Sequence, residues 1–499
     1  MSVKKYYLAL DQGTTGSTAI LFDEKWHLSA RGYKETTQIY PQPGWVEHNP
    51  VEIWQSMLEA IQQALDIAGA NISQVASVGL DHEGESIVLW DKLTGQPVYN
   101  AIVWQDRRTA RYADQLKEKS GTMIREKTGI DPDAYFSATK IKWILDNVPE
   151  AKALLKQGRL LEGNMDAWMV WKMTHGHVHV TDASTASRTM LLNIHTGQWD
   201  DDILALLDID KSILPTICDS AMVFGHTDPL DFGGADIPIS GILNDQQAAL
   251  FGQACLAPGT IKTTYGTGCF MFMNTGDKPV DSPNGILTTV AWKLNNKMTF
   301  ALDGGIYITG AATQWLRDGL QIIKSASETE AMATSIKDTG GVYFVPAFTG
   351  LAAPHWDSYA RGTMVGITGG TKREHIVRAT LESTAYQVKD ILDVMEKDSK
   401  VPISVMRCDG GATVNNFLMQ FQADILGIPI DLPKINETTA LGAAYMSALG
   451  IGDFTSIDEI AGHWELAKHI EPHMSSDQRD SLMYDWHKAV ERAKNWIEN

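Results

Sequence analysis

Two apolar runs, residues 6–10 and 19–22, flank the polar stretch Asp11-Gln12-Gly13-Thr14-Thr15-Gly16-Ser17, the pattern of a β-hairpin with a polar tip. A third strand-like piece follows. From 50 to 68 the apolar residues Ile53, Met57, Ile61, Ala64 and Leu65 recur at helical spacing and predict an amphipathic helix. Residues 75–80 read as a buried strand ending in Asp81-His82-Glu83-Gly84-Glu85-Ser86. A short strand at 101–103 runs into Trp104, and residues 135–144 open a helix with Ser137 or Thr139 as the expected cap. An apolar strand at 237–243 passes through Asn244-Asp245-Gln246-Gln247 into a helix at 248–255.

The second half repeats the plan. Leu256-Ala257-Pro258-Gly259 breaks the pattern and marks a boundary between units 1–256 and 257–499. Beyond it, a strand-like run at 260–264 leads to a second glycine-bearing turn, Tyr265-Gly266-Thr267-Gly268-Cys269, and the two similar hairpins suggest an internal duplication. Strands are expected at 288–292, 298–302 and 342–348, a helix around Gly310, Gln314 and Trp315, and a long helix at 375–396. A strand from 405 ends in Asp409-Gly410-Gly411, with Asn415 just beyond. A helix of small residues begins at 437, and a charged amphipathic helix starts at 477. Strands alternating with helices make this an α/β chain.

Composition narrows the possibilities. The chain has 499 residues, 44% hydrophobic and 21% charged, ordinary for a globular protein of two or more domains. A net charge of −19 argues against a nucleic-acid partner. The four cysteines have no paired ligand spacing and read as reduced thiols, which argues against a zinc site and points to the cytoplasm. No apolar run approaches the roughly 18 residues of a membrane span, so no membrane insertion is expected.

Candidate chemistry gathers at strand ends. The turn after Asp11 offers backbone N–H groups and hydroxyls to a phosphate, and Asp11 can hold Mg²⁺ through water; an ordinary tight hairpin is the competing reading. The cluster Asp81 to Ser86 sits where α/β folds place working groups, or forms a solvated turn. Asp245 is either a helix cap or a base that accepts a hydroxyl proton as a bond to phosphorus forms. Trp104 alone reads as core and Asp182 as a cap. The pair Gly410-Gly411 lets the backbone approach a flat ligand.

The segments LALDQGTTGSTAILFD, YPQPGWVEHNP, NAIVWQDRRTA, YFSATKIKWILDN, NDQQAALFGQ, TYGTGCFM, GAATQWLRD, VPAFTGLAAPHWD and DGGATVNNFLMQFQADILG occur in this order. Through them nearly the whole chain resembles the FGGY carbohydrate kinase family. The resemblance implies two ribonuclease-H-like domains, as in actin and hexokinase, around a central cleft. It also implies ATP with Mg²⁺, transfer of the γ-phosphoryl group to a primary hydroxyl of a small polyol, and a homo-oligomer. Carried over, Asp245 is the catalytic base with Gln246 beside it. Trp104, Tyr135 and Phe270 wall the polyol pocket, and Glu85 accepts a substrate hydroxyl. Gly13, Thr14 and Thr15 meet the phosphates on one side and Thr267 on the other, with Asp11 supporting Mg²⁺. Gly310, Gln314, Gly411 and Asn415 hold the nucleotide.

One departure bears on the substrate. Family members that phosphorylate glycerol carry Thr-Asn-Gln-Arg-Glu-Thr at Asp81 to Ser86, and that arginine hydrogen-bonds glycerol; here the position is Gly84. Loss of a charge-assisted bond is worth about 1.5–3 kcal/mol. The empty space, lined by His82, Glu83 and Glu85, leads to the expectation of a longer, four- or five-carbon polyol or ketose as the alternative to glycerol. A non-catalytic nucleotide-binding regulator on the same fold is the reading from another class. Retention of Asp11 and Asp245 argues against it.

Overall fold

The computed structural model describes residues 5–497. Two mixed sheets organise it, and each opens with an antiparallel hairpin. The first is built from β1 (Tyr6–Gly13), β2 (Gly16–Asp23), β3 (Leu28–Glu35), β4 (Val75–His82), β5 (Ala221–His226) and β6 (Pro238–Asn244), in the order β5-β6-β4-β1-β2-β3. The second contains β7 (Ile261–Tyr265), β8 (Cys269–Gly276), β9 (Leu287–Leu294), β10 (Lys297–Ile306), β11 (Met406–Asp409), β12 (Ile430–Pro433) and β13 (Leu466–Ile470), in the order β9-β10-β8-β7-β11-β12-β13. In the first, β1, β4 and β6 run parallel; in the second, β7, β11 and β12 do. The duplication suggested by the two hairpins is therefore a duplication of topology, and the architecture is the paired ribonuclease-H-like one.

Both faces of the first sheet are covered at its centre, so β1 and β2 carry continuous apolar runs rather than alternating ones. Leu8, Leu10, Ala19 and Leu21 enter one core with helix α1 (Pro50–Ala68), while Ala9, Ile20 and Phe22 enter another. The bounds of α1 are set locally. Asn49 caps its N-terminus by accepting from the Val51 N–H, Pro50 stands in its first turn, and Gly69 ends it in the left-handed conformation.

The second core face ties the two halves of the chain together. Helices α2 (Asp245–Gly252), α3 (Gly310–Asp318), α4 (Asn416–Leu426) and α5 (Thr438–Ile451) follow the strand ends that carry the candidate residues. Of these, α5 belongs to the second half by sequence yet lies against β4 and β6 of the first sheet and crosses α2. A Cβ on Gly252 would lie 1.9 Å from the Thr438 carbonyl oxygen, and one on Gly442 1.9 Å from that of Ala248. Only hydrogen fits at this crossing, and it lets two backbones meet where the halves join.

One local expectation fails. The helix Ser137–Asn147 has Phe136 at its cap and no side-chain cap. Ser137 donates its hydroxyl to the Glu85 carbonyl and Thr139 exchanges a bond with Thr109, so both hydroxyls are used in tertiary contacts.

Candidate active site

The carboxyl ends of β1, β4 and β6 stand side by side, and each delivers an aspartate: Asp11, Asp81 and, one residue past β6, Asp245. Asp245 is the first residue of α2, and the capping position is Asn244, so Asp245 is not the cap. Its Oδ1 accepts the Gln246 N–H at 2.6 Å and its Oδ2 the Gln246 Nε2–H at 3.0 Å. Gln246 Oε1 in turn accepts from Lys262 Nζ on β7, whose ammonium also reaches Thr264 Oγ1 at 3.1 Å. Burial, then the nearby Glu85 charge, push the Asp245 carboxyl above the ordinary carboxylate range. That tuning raises its affinity for a proton.

Beside this group lies an aromatic and charged pocket. Trp104 donates its indole N–H to Thr14 Oγ1 at 2.9 Å and its backbone N–H to Ser86 Oγ, fixing the ring between the phosphate-type hairpin and the loop after β4. Trp104 packs edge-on against Tyr135, centroids 5.7 Å apart. Arg188, 2% exposed, lies 5.7 Å from the Tyr135 ring centre and bridges Glu85 at 2.7 Å and Asp303 at 2.9 Å. Burial opposes the Arg188 charge, but Glu85 and Asp303 outweigh it and hold the guanidinium protonated. Asp303 lies on β10, where Gly305 pairs with Phe270 of β8, so Phe270 enters the same neighbourhood from the other sheet. The segment bearing Tyr135 is held from below. Lys140, fully buried, donates to the carbonyls of Ala134, Tyr135 and Phe136, and burial pulls its ammonium down to about 7. Sequence reasoning missed Arg188, Lys140 and Lys262. Arg188 and Lys262 are lone basic residues in runs of small or apolar residues, whereas Lys140 has Lys142 two positions on.

The loop after β4 is interior rather than solvated. Asn164 Nδ2 donates to the carbonyls of Gly84 and Ser86, and the Glu83 carboxylate lies 3.5 Å from His48 Nδ1. His48 donates to Gln38, which donates to the Thr14 carbonyl, linking this loop to the hairpin tip. His82 is 0% exposed, with its Nε2 engaged by Thr185 Oγ1 at 2.9 Å. The expected empty space at Gly84 is absent. A Cβ there would lie 1.8 Å from Asn244 Oδ1. The Asn244 side chain, 1% exposed, fills the volume that a longer residue at 84 would need. The geometric argument for a longer substrate is thereby removed.

The second hairpin builds the opposite wall. Gly266 and Thr267 are exposed at its turn, and their carbonyls accept the N–H groups of Gly310 and Ala311 that open α3. A Cβ on Gly310 would fall 2.4 Å from the Gly266 oxygen, and one on Gly410, at φ 94°, 2.4 Å from the Tyr265 oxygen. The β7 turn, α3 and the Gly410-Gly411 turn therefore converge, bringing Thr267, Gly310 and Gly411 together. Gln314 lies one turn along α3 and is exposed. Asn415 is otherwise engaged: its Oδ1 caps α4 through the Leu418 N–H, and its Nδ2 bonds Thr329. On the first hairpin, Gly13 and Thr14 are half-buried and Thr15 exposed at the tip.

Comparison with known proteins covers both halves of the chain. The N-terminal domain profile of the FGGY family of carbohydrate kinases matches residues 6–252, and its C-terminal domain profile matches residues 261–451. The chain is 56% identical to glycerol kinase 2 of Thermotoga maritima over 493 residues, 99% of each protein. It is 55% identical to glycerol kinase of Caldanaerobacter subterraneus over 495 residues, 99% of each. Among solved structures, the glycerol kinase of Plasmodium falciparum with ADP superimposes with a TM-score of 0.94 at 35% identity, covering 100% of both chains. Ligand-bound xylulose kinase from Lactobacillus acidophilus, 21% identical, has a TM-score of 0.88 over 98% of this chain and 97% of its own, a likeness of fold.

Proposed function

The chain belongs to the FGGY family of carbohydrate kinases, and from that premise we propose that it transfers the γ-phosphoryl group of ATP to a primary hydroxyl of glycerol, releasing ADP. The observation that carries the reading is the placement of Asp245 at a strand end beside the pocket of Trp104, Tyr135, Glu85 and Arg188. Asp245, ionised, accepts the hydroxyl proton as that oxygen attacks phosphorus. Gln246, bonded to both carboxylate oxygens and to Lys262, holds the carboxylate in one orientation.

Glu85, paired with Arg188 at 2.7 Å, accepts a polyol hydroxyl, while Trp104 and Tyr135 cover the carbon chain. Arg188 fixes the Glu85 and Asp303 carboxylates in place, and Asn244 fills the space beside Gly84. The two hairpin tips, Gly13-Thr14-Thr15 and Thr267, offer N–H and hydroxyl donors to phosphates; Gly310 and Gly411 permit close approach of the nucleotide. The paired carboxylates near the Thr14 turn fit a divalent cation, for which Asp11 is the first ligand. Mg²⁺ held there would supply charge neutralisation on the phosphates. Positioning and fixed charge are what phosphoryl transfer asks of a protein. No helix of the described residues is long and apolar enough to cross a membrane. Unpaired thiols at all four cysteines and the use of ATP support a cytoplasmic site of action.

The test is ADP release with Mg-ATP from glycerol, erythritol, threitol, the pentitols and ketopentoses, with Asp245→Asn as control. Glycerol is expected to give the highest kcat/KM. A longer acceptor winning by tenfold, or no acceptor exceeding the variant, overturns the reading.

A further inference from the structure

We propose that Asp81 is a second cation ligand, and that its carboxylate and that of Asp11 together hold one divalent ion of the Mg²⁺ class at the carboxyl edge of the first sheet. The inference rests on the kinase reading of the same cleft and assigns a role to a residue that reading leaves unused. Asp11 and Asp81 are directly paired across the parallel strands β1 and β4. Paired residues of neighbouring strands share a face, so the two carboxylates lie next to each other.

Asp81 is 0% exposed, and apart from the neighbouring Asp11 carboxyl neither of its oxygens meets a hydrogen-bonding group among the described residues. Other buried aspartates of this chain are satisfied. Asp182 accepts from Ser184, Thr185 and Ser220, and Asp409 from Gln253 and Thr438. Asp81 has no such partners, and its charged surroundings make matters worse. Asp11, Asp245 and Glu437 all act on it with like charge. On Asp11 the opposing positive charge is that of Arg31, which is half-exposed and 3.4 Å from Glu437.

Burying two carboxylates side by side without donors is costly unless something positive joins them. A shared proton satisfies one oxygen of each and leaves the other two bare. A divalent cation neutralises both charges and brings its own water to the remaining contacts. Among the described residues no group of three or more His, Cys, Asp or Glu could hold a metal ion alone. That agrees with Mg²⁺, which takes one or two carboxylates, keeps several waters and completes its shell with substrate phosphates.

Mn²⁺ serves as the probe, titrated into the full chain with and without ADP and followed by electron paramagnetic resonance. Asp81→Asn and Asp81→Ser are compared with the unaltered protein, and melting temperatures are recorded in Mg²⁺ and in EDTA. The expected results are one Mn²⁺ per chain, bound at least tenfold more weakly by both variants, and a melting temperature raised by Mg²⁺ only where Asp81 is present. In EDTA the variants melt no lower than the unaltered protein, because they lose a buried like charge. Variants that bind Mn²⁺ as tightly as the unaltered protein, or an identical response to Mg²⁺, overturn the proposal in favour of a shared proton. Phosphorylation of glycerol is assayed in parallel. Activity with unchanged Mn²⁺ binding removes only the Asp81 ligand, whereas an Asp81-dependent ion without phosphorylation of any acceptor removes the kinase reading.

Discussion

Position 84 offers a quantitative test of how the pocket is filled. Replacing Gly84 by arginine must begin with a Cβ 1.8 Å from Asn244 Oδ1 and 2.6 Å from its Cγ. Asn244 cannot simply swing away, being 1% exposed, with its Nδ2 bonded to Gln247 Oε1 at 2.5 Å. Gln247 is in turn tied to Thr289 and Val290. Overpacking of this kind costs about 1–3 kcal/mol, and breaking the buried amide bond adds about 1 kcal/mol. Gly84→Arg alone is therefore expected to lose about 2–4 kcal/mol of stability and to gain nothing on glycerol.

Removing the obstruction should reverse the result. Asn244 occupies the cap position of α2 but its side chain caps no amide, so Asn244→Gly costs only a few tenths of a kcal/mol there, plus about 1 kcal/mol for the lost bond to Gln247. In Gly84→Arg/Asn244→Gly the guanidinium has room, and a charge-assisted bond to a glycerol hydroxyl adds about 1.5–3 kcal/mol, roughly a ten- to hundredfold gain in kcat/KM over Gly84→Arg alone. The assay is a double-mutant cycle in kcat/KM for glycerol, with melting temperature alongside. A Gly84→Arg protein as stable and active as the unaltered one, or a double variant no better than the single, refutes the reasoning.

Three further outcomes are expected. Asp245→Asn lowers kcat about 10²–10⁴-fold with glycerol binding, measured by calorimetry, little changed; in the unaltered enzyme kcat/KM falls as pH falls through the raised Asp245 pKa, so the acid limb lies above the ordinary carboxylate value of about 3.9. Lys140→Met leaves the carbonyls of Ala134, Tyr135 and Phe136 without their donor, lowering stability by about 1–3 kcal/mol and raising KM for glycerol more than it lowers kcat. Because an unfolded lysine keeps its proton to about 10.5 and Lys140 releases it near 7, the Lys140 contribution to stability climbs with pH between those values, and the difference in melting temperature from the Met variant should show that slope. Gly310→Ala drives a methyl to 2.4 Å from the Gly266 carbonyl oxygen, so KM for ATP rises severalfold while KM for glycerol, taken at saturating ATP, stays put.

What the sequence discloses and what it hides follow from where each residue finds its partners. The helix at 50–68 is legible to the residue because its cap, its proline and its terminal glycine are neighbours in the chain. The strand-end position of Asp245 is legible for the same reason, as apolar periodicity stops just before it. Arg188 is not: it is recognisable only through Glu85 and Asp303, which other strands bring to it. Ser137 and Thr139 look like caps and are not, because Glu85 and Thr109 reach their hydroxyls first.

Gly84 shows the same limit from the opposite side. Read singly, an arginine replaced by glycine is a vacancy and argues for a larger substrate. Folded, the vacancy is filled by Asn244, from a strand that pairs with β4 and so reaches the same point in space. A pocket volume is a property of residue pairs brought together by sheet register, and specificity at this site must be argued from positions 84 and 244 jointly. With Asn244 in place, the space beside position 84 is filled, and the guanidinium at this site is that of Arg188, bound to Glu85 and Asp303.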